Sequence, residues 1–470
     1  MYNRCFCVKG NGLTTSKNLI VLLLGPALAA ITFFSLSAIG WQDEACWTAA
    51  ITALCATWWI FEPIPIPATS LIPIATLPIL GVLTPAQVGA SYGSPLVLLL
   101  MGGFILSTAM EKSGAHRRVA LNMVNLFGGT SSRRLVFGFM AASAVLSMWI
   151  SNTATTLMLL PVALAVIEKS EDDKLAIPLL LGIAYAASVG GIGTPIGTPP
   201  NLVFREIYEQ NTGIEVGFVS WMAWGIPVVL IFVPLIGIWL TRRLSHRGQI
   251  DMPQVGQWEA EEKRVFIVFA LTALAWVTRS QPFGGWKTWF DLPMANDASV
   301  ALIAVVVMFL VPNGKGSRLL DWETAARIPW GMLILFGGGI AIARGFVESG
   351  LSSSLGEILA GLAGWPVLAM IFVLCLCITF LTEMTSNTAT TTLLMPILAA
   401  AALAAGIEPA LLMVPAAMSA SCAFMLPVAT APNTIVFSTG RFPTRVMARE
   451  GVVLNFVGIF VISLTCYFLL

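Results

Sequence analysis

Long apolar runs separated by short polar breaks fill this chain, and most approach the roughly 20 residues a helix needs to cross a hydrocarbon layer. Their limits place helices near 18–39, 45–61, 65–83, 94–111, 174–192, 217–241, 264–278, 298–312, 329–345, 409–426 and 451–470. Two further apolar stretches, 134–167 and 366–404, are interrupted by the same hexapeptide, Ser151-Asn152-Thr153-Ala154-Thr155-Thr156 and Ser386-Asn387-Thr388-Ala389-Thr390-Thr391. A polar break at mid-depth predicts two half-spanning arms that return to their own side, a re-entrant hairpin. Such backbone is tolerated only where it is buried in protein or lines a cavity.

The repeat extends beyond the hexapeptide. Gly102-Gly103 followed by Ser113-Gly114 matches Gly338-Gly339 followed by Ser349-Gly350, and Pro161 matches Pro396. Pro195-Ile196-Gly197-Thr198-Pro199-Pro200-Asn201 matches Pro427-Val428-Ala429-Thr430-Ala431-Pro432-Asn433 in the same order. The pattern predicts an all-α polytopic membrane protein of about 11 transmembrane helices, two re-entrant hairpins and an inverted-repeat architecture. Its parts are a tail and first helix over 1–44, a first repeat over 45–250 with hairpin 134–167, and a second over 251–470 with hairpin 366–404.

Composition agrees, with 57% hydrophobic and 10% charged residues and a mean hydropathy of +0.86. A net charge of +1 suggests no nucleic acid or polyanionic partner. Charge placement sets the orientation. One side collects Lys112, Arg117, Arg118, Arg133, Arg134, Lys169, Lys174, Arg242, Arg243, Arg247, Lys263, Arg264, Lys315, Arg318, Arg327, Arg441, Arg445 and Arg449. The other holds Arg205, Arg279, Lys287 and Arg344. The positive-inside rule then puts the N-terminus in the cytoplasm and the C-terminus outside, in an inner (plasma) membrane. That count works only if both interrupted stretches are hairpins. The run after Lys17 is longer than a signal-peptide core, with Ala27-Leu28-Ala29 inside it, and reads as an uncleaved first span.

Few groups suit metal or nucleophilic chemistry. His116 and His246 stand beside arginines in hydrophilic connectors and are expected to be solvated. Cys5 and Cys7 lack a second pair for zinc, and Cys55, Cys375, Cys377, Cys422 and Cys466 read as small apolar fillers. A hydrolase using a motif hydroxyl would need a nearby base, and no span supplies histidine or lysine. No enzyme activity and no cofactor are expected.

The four polar breaks, two tips and two proline loops, are expected to meet near the midplane. The Ser or Asn opening each second arm is a good N-cap, so the arm's free N–H groups face the tip and favour an anion. Two opposed helix N-termini could hold a substrate with two negative ends without any arginine. Prolines free the carbonyls before them, which suits a hard cation such as sodium, and Gly197 and Ala429 allow close backbone approach. The plainer alternatives are polar glue between helices for the tips and packing kinks for the loops. Glu383, whose counterpart by the same offset is Met148, reads as a hydrogen-bonded carboxylate shaping the second ion site or as a proton carrier.

Together these residues resemble the divalent anion–sodium symporter family, which carries dicarboxylates, citrate or sulfate. The resemblance covers most of the chain and rests on the paired Ser-Asn-Thr tips, the paired proline loops, the span count and the topology. It implies a homodimer in which a transport part moves as an elevator against a scaffold. It also implies one sodium site at Ser147, Ser151, Asn152 and the Gly197 carbonyl, and another at Thr382, Thr385 (backbone), Asn387 and the Ala429 carbonyl. The implied substrate residues are Ser151, Asn152, Thr153, Thr198, Ser386, Asn387, Thr388 and Thr430. One departure is Ala431, where family members often carry proline. The expected function is sodium-coupled import of a small dianion, a C4-dicarboxylate such as succinate. A sodium-independent dicarboxylate exchanger, a sulfate or citrate transporter and a passive channel remain as alternatives.

Overall fold

The computed structural model describes residues 15–127, 131–170, 172–244, 256–281, 283–354 and 365–470. Among them the chain is helical, with one isolated bridge between Pro312 and Arg318. The first half comprises α1 Thr15–Ile39, α2 Asp43–Phe61, α3 Ile66–Thr69, α4 Leu71–Ile79, α5 Pro85–Tyr92, α6 Pro95–Ser113, α7 Ala115–Phe127, α8 Ser132–Ser147, α9 Asn152–Lys169, α10 Ala176–Gly190, α11 Pro199–Thr212 and α12 Phe218–Thr241. The second comprises α13 Ala260–Val277, α14 Gly285–Trp289, α15 Asp297–Leu310, α16 Trp322–Ala325, α17 Trp330–Glu348, α18 Val367–Thr382, α19 Asn387–Ala404, α20 Ala410–Ala420, α21 Ala431–Phe437 and α22 Thr444–Leu469.

Local chemistry sets the boundaries. Thr84 and Gln87 form a capping box ahead of α5, with Pro85 in its first turn. The Ser94 hydroxyl accepts the Val97 N–H at the start of α6, Pro95 occupies its first position, and Gly114 at φ +74 ends it. The run at 65–83 does not form one helix: it breaks into α3 and α4. Among the described residues seven helices are long and apolar enough to cross a membrane, and four shorter apolar helices accompany them. Only 6% of the apolar window of α1 is buried, and Leu19, Leu23, Ile31 and Phe34 face outward, a surface suited to lipid.

The centre is built on α10, where every residue from Pro178 to Gly190 is buried. A helix apolar all round is buried in protein or in lipid, and α10 is enclosed by protein, packing against α8, α9 and α12. It passes α8 so closely that a Cβ on Gly190 would lie 2.4 Å from the Ala144 carbonyl oxygen. The Tyr185 hydroxyl donates to the Phe424 carbonyl at 2.7 Å and ties α10 to the second half. A smaller apolar cluster, including Trp59, Leu77, Val88, Leu335 and Phe346, unites α2, α4, α5 and α17.

Two of the cations on the charge-poor side, Arg205 and Arg279, are buried rather than solvated. Asp297 Oδ2 lies 2.9 Å from Arg205 Nη2, and its Oδ1 lies 2.8 Å from Arg279 Nε. Arg279 also reaches Glu215 at 2.5 Å. His116 corrects the expectation of a solvated histidine. The connector after α6 is the helix α7, and His116 is buried there with Nδ1 2.7 Å from the Met110 carbonyl oxygen. Desolvation depresses its pKa below the ordinary 6.5. Cys55, Cys375, Cys422 and Cys466 are buried, whereas Cys377 is exposed, so it fills no core. Cys5, Cys7 and His246 lie outside the described residues.

Candidate functional site

Each hexapeptide begins where one helix gives way to the next. α8 ends at Ser147, Met148–Ser151 make the turn, and the Ser151 hydroxyl caps α9 by accepting the Ala154 N–H at 3.2 Å. Ser147 Oγ lies 2.6 Å from Asn152 Oδ1 and 2.7 Å from the Ala187 carbonyl oxygen of α10. The second half repeats the oxygen cluster but not the cap: Ser386 precedes α19 without a side-chain capping bond, against expectation, while Thr382 Oγ1 lies 2.7 Å from Asn387 Oδ1 and 2.9 Å from the Ala420 carbonyl oxygen. A hydroxyl carries one proton and can satisfy only one of its two oxygen neighbours. Three oxygens thus converge on one hydrogen at both tips, a donor set that suits a hard cation.

The proline loops approach the same points. A Cβ on Gly191 would lie 2.8 Å from Asn152 Oδ1 and 3.1 Å from the Gly197 carbonyl oxygen, so glycine is what lets these two oxygens converge. Each loop is bound to its own tip through the same pair of positions, by different chemistry. In the first half the Thr194 hydroxyl donates to the Met148 carbonyl. In the second, the counterpart of Met148 is Glu383, which is 3% exposed. Its Oε1 accepts from Phe424 N at 2.7 Å, Met425 N at 2.9 Å and Asn455 Nδ2 at 2.8 Å, and its Oε2 from Leu426 N at 3.0 Å. The hydrogen-bonded reading of Glu383 matches this environment.

The halves interlock around a cavity of about 960 Å³, with α9 against α21 and α11 against α19 and α20. Ser151, Asn152, Thr153, Gly197 and Thr198 line it from the first half, and Thr385, Ser386, Asn387, Thr388, Ala429, Thr430 and Ala431 from the second. Ser147 and Thr382 sit fully buried behind the two asparagines. Leu100, Phe104 and Ser107 of α6 and Met332 of α17 form part of the opposing wall. Among the described lining residues there is no Lys, Arg or His, while Glu62 and Glu383 are acidic. An anion entering here meets N–H groups, hydroxyls, amides and the N-terminal ends of α9 and α19, and no fixed cation.

The Ala187 and Ala420 carbonyls, Thr194, Asn201 and Asn433 stand outside the site residues expected from the sequence. The alanines carry no side-chain signal. The asparagines ended both proline motifs and were legible as a pair, though only as landmarks of the repeat.

A family model described as Citrate transporter matches residues 56–415. The chain belongs to the citrate transporter family. This membership agrees with the resemblance carried by the paired motifs, and it makes the chain a transporter rather than an enzyme. Relatives of this chain include the sodium-dependent dicarboxylate transporter SdcS of Staphylococcus saprophyticus, 41% identical over 476 residues, covering 96% of this chain and 91% of that one. The protein of the same name from Staphylococcus aureus strain USA300 is 40% identical over 484 residues, covering 97% and 92%. Two solved structures share the fold. The YdaH transporter of Alcanivorax borkumensis has a TM-score of 0.57 at 14% identity, covering 84% of this chain and 88% of that one. MtrF of Neisseria gonorrhoeae has a TM-score of 0.57 at 12% identity, covering 96% and 94%.

Proposed function

We propose that this chain is a secondary active transporter that imports a small dianion, a C4-dicarboxylate such as succinate, together with sodium. The observation that carries the proposal is a cavity built from two matching polar tips with no cationic side chain among its described lining residues. A dianion there would face the Glu383 carboxylate without a counter-charge. The oxygen sets at Ser147, Ser151, Asn152 and Gly197, and at Thr382, Thr385, Asn387 and Ala429, offer sodium a place beside both tips. Bound sodium supplies positive charge next to the N-termini of α9 and α19, so the anion gains affinity when the ion is present. Coupling of this kind is reciprocal: the dianion tightens sodium by the same factor. The names of the relatives, at about 40% identity over nearly the full length, support the same substrate class and ion.

The proposed substrate contacts are Ser151, Asn152, Thr153 and Thr198 with Ser386, Asn387, Thr388 and Thr430. Access alternates by an elevator movement of the interlocked bundle of α8–α12 and α18–α22 against the remaining helices. The mainly apolar α6 and α17 wall opposite the tips supports a sliding surface. In this reading the halves 45–250 and 251–470 are inverted repeats, and α8–α9 and α18–α19 are re-entrant hairpins. The N-terminus is cytoplasmic, the C-terminus is outside, and the working unit is a homodimer.

The test is uptake of radiolabelled succinate into proteoliposomes under an inward sodium gradient, then with potassium in its place. Accumulation is expected only with sodium, and Asn152→Ala or Asn387→Ala is expected to abolish it while leaving folded protein in the membrane. Near-normal uptake by either variant would sink the site assignment. Uptake indifferent to sodium but dependent on internal dicarboxylate would make the protein an exchanger.

A further inference from the structure

Asn201 and Asn433 occupy equivalent places just after the two proline loops, and both are fully buried. Asn201 Nδ2 donates to the carbonyls of Gly191 at 2.9 Å and Thr194 at 2.7 Å. Asn433 Nδ2 donates to those of Ala423 and Leu426, each at 3.0 Å. With both amide hydrogens committed, each side chain has one orientation, and its Oδ1 is left buried without a hydrogen-bond partner. A buried acceptor with no partner carries a desolvation cost that an apolar residue would not, and the cost appears twice, in symmetric positions. Loop closure alone does not explain keeping it.

The carbonyls that these amides hold belong to the loops that frame the cation sites. A Cβ on Gly191 would press against Asn152 Oδ1 and the Gly197 carbonyl oxygen, so the loop backbone runs beside both. Thr194 supplies the hydroxyl that binds the first tip, and Leu426 the N–H that binds Glu383. We propose that Asn201 and Asn433 are positioning residues that set the oxygen cages of the two sodium sites, and with them cation affinity and selectivity, without touching the ion. Each amide withdraws two competing carbonyls and fixes the loop so that the remaining oxygens, from Ser147, Asn152, Ala187 and Gly197 or their counterparts, define one cage size. The inference rests on the sodium-coupled reading above and adds the residues that tune it.

The experiment compares wild type with Asn201→Ala, Asn433→Ala and the milder Asn201→Ser, which keeps one donor. Succinate uptake is titrated with sodium and with lithium in proteoliposomes. Thermal stabilisation of the purified full-length protein by each cation provides a readout independent of turnover. Loss of the clamp is expected to raise the sodium half-saturation about tenfold, equivalent to about 1.4 kcal/mol, and to narrow the preference for sodium over lithium. Maximal uptake at saturating sodium is expected to stay near wild type. Asn201→Ser should fall between. A variant that lowers the maximal rate while leaving half-saturation and the sodium-to-lithium ratio unchanged overturns the proposal. Loss of folded protein in both Asn201 variants overturns it too, by making the asparagine a residue of the fold. Wild-type uptake indifferent to sodium would overturn the transport reading and this inference with it, whereas an unshifted variant in a sodium-dependent protein overturns this inference alone.

Discussion

Glu383→Gln separates the two readings of the acid beside the second tip. The carboxylate accepts four hydrogen bonds, from Phe424, Met425 and Leu426 N–H groups and from Asn455. In the glutamine, Oε1 can still face Phe424, Met425 and Asn455, but the new amide opposes the Leu426 N–H, donor against donor. That lost bond to a charged acceptor is worth about 2 kcal/mol, and each of the other three weakens by about 1 kcal/mol on becoming neutral. Relief from burying a charge offsets part of the total, leaving a net loss of about 2–4 kcal/mol. Because the loop it releases carries the Ala429 carbonyl, the loss is expected in sodium affinity as well as in thermal stability. Sodium titration of succinate uptake and thermal unfolding in detergent, run side by side, give both quantities. The expected variant still transports with sodium, but needs at least tenfold more of it. A proton carrier would behave otherwise, keeping its sodium half-saturation and losing the pH dependence of uptake. Half-saturation and melting temperature both equal to wild type would refute the reasoning.

Thr194→Val removes the matching link in the first half, a neutral hydrogen bond worth about 1 kcal/mol, so its shift in sodium half-saturation should be smaller than that of Glu383→Gln. An equal or larger shift would show that the two links are not counterparts. Asp297→Ala leaves the Arg205 and Arg279 guanidinium groups buried without their shared partner and should destabilise the protein by about 3–5 kcal/mol, read as a lower melting temperature and yield. An unchanged melting temperature would place that network in contact with water. Burial holds the His116 pKa below 6.5, with Arg117 adding to the depression. Its contribution is therefore complete above the unfolded value and lost as pH falls through the folded one, so the wild-type melting temperature should drop between pH 7.5 and 5 more than that of His116→Gln. Parallel curves for the two proteins would remove His116 from the account.

The period of the apolar pattern carried the helices because lipid or protein surrounds nearly every one of them, and a polar break then means something. Both tips were legible for that reason: Ser151 and Ser386 each mark the residue before a new helix. The connector holding His116 was not, because an amphipathic helix such as α7 has the composition of a loop and declares itself only through periodicity. The split of 65–83 into α3 and α4 was hidden by prolines that an apolar count does not weigh. The oxygen clusters at the tips were half legible. Side chains at Ser147, Asn152, Thr382 and Asn387 can be read from a motif, whereas the Ala187 and Ala420 carbonyls belong to residues with nothing to read.

Charge balance links the two kinds of site in the proposed mechanism. Leaving aside Glu62, which is exposed, the cavity contains Glu383 and would receive two more negative charges with a dicarboxylate, yet its described lining residues offer no cationic side chain. The N-termini of α9 and α19 each supply about half a positive charge, which answers roughly one of the three. Two monovalent cations, one at each tip, answer the others and leave the loaded site close to neutral. An empty site carries only the carboxylate against the two helix ends and is also close to neutral. The intermediate states are the unbalanced ones, anion without sodium or sodium without anion, and a low-dielectric interface penalises moving them across. In the proposed mechanism coupling then follows from electrostatics, without a dedicated gate: the bundle would cross readily when its charges cancel, and both tips would have to be filled for a dianion to travel.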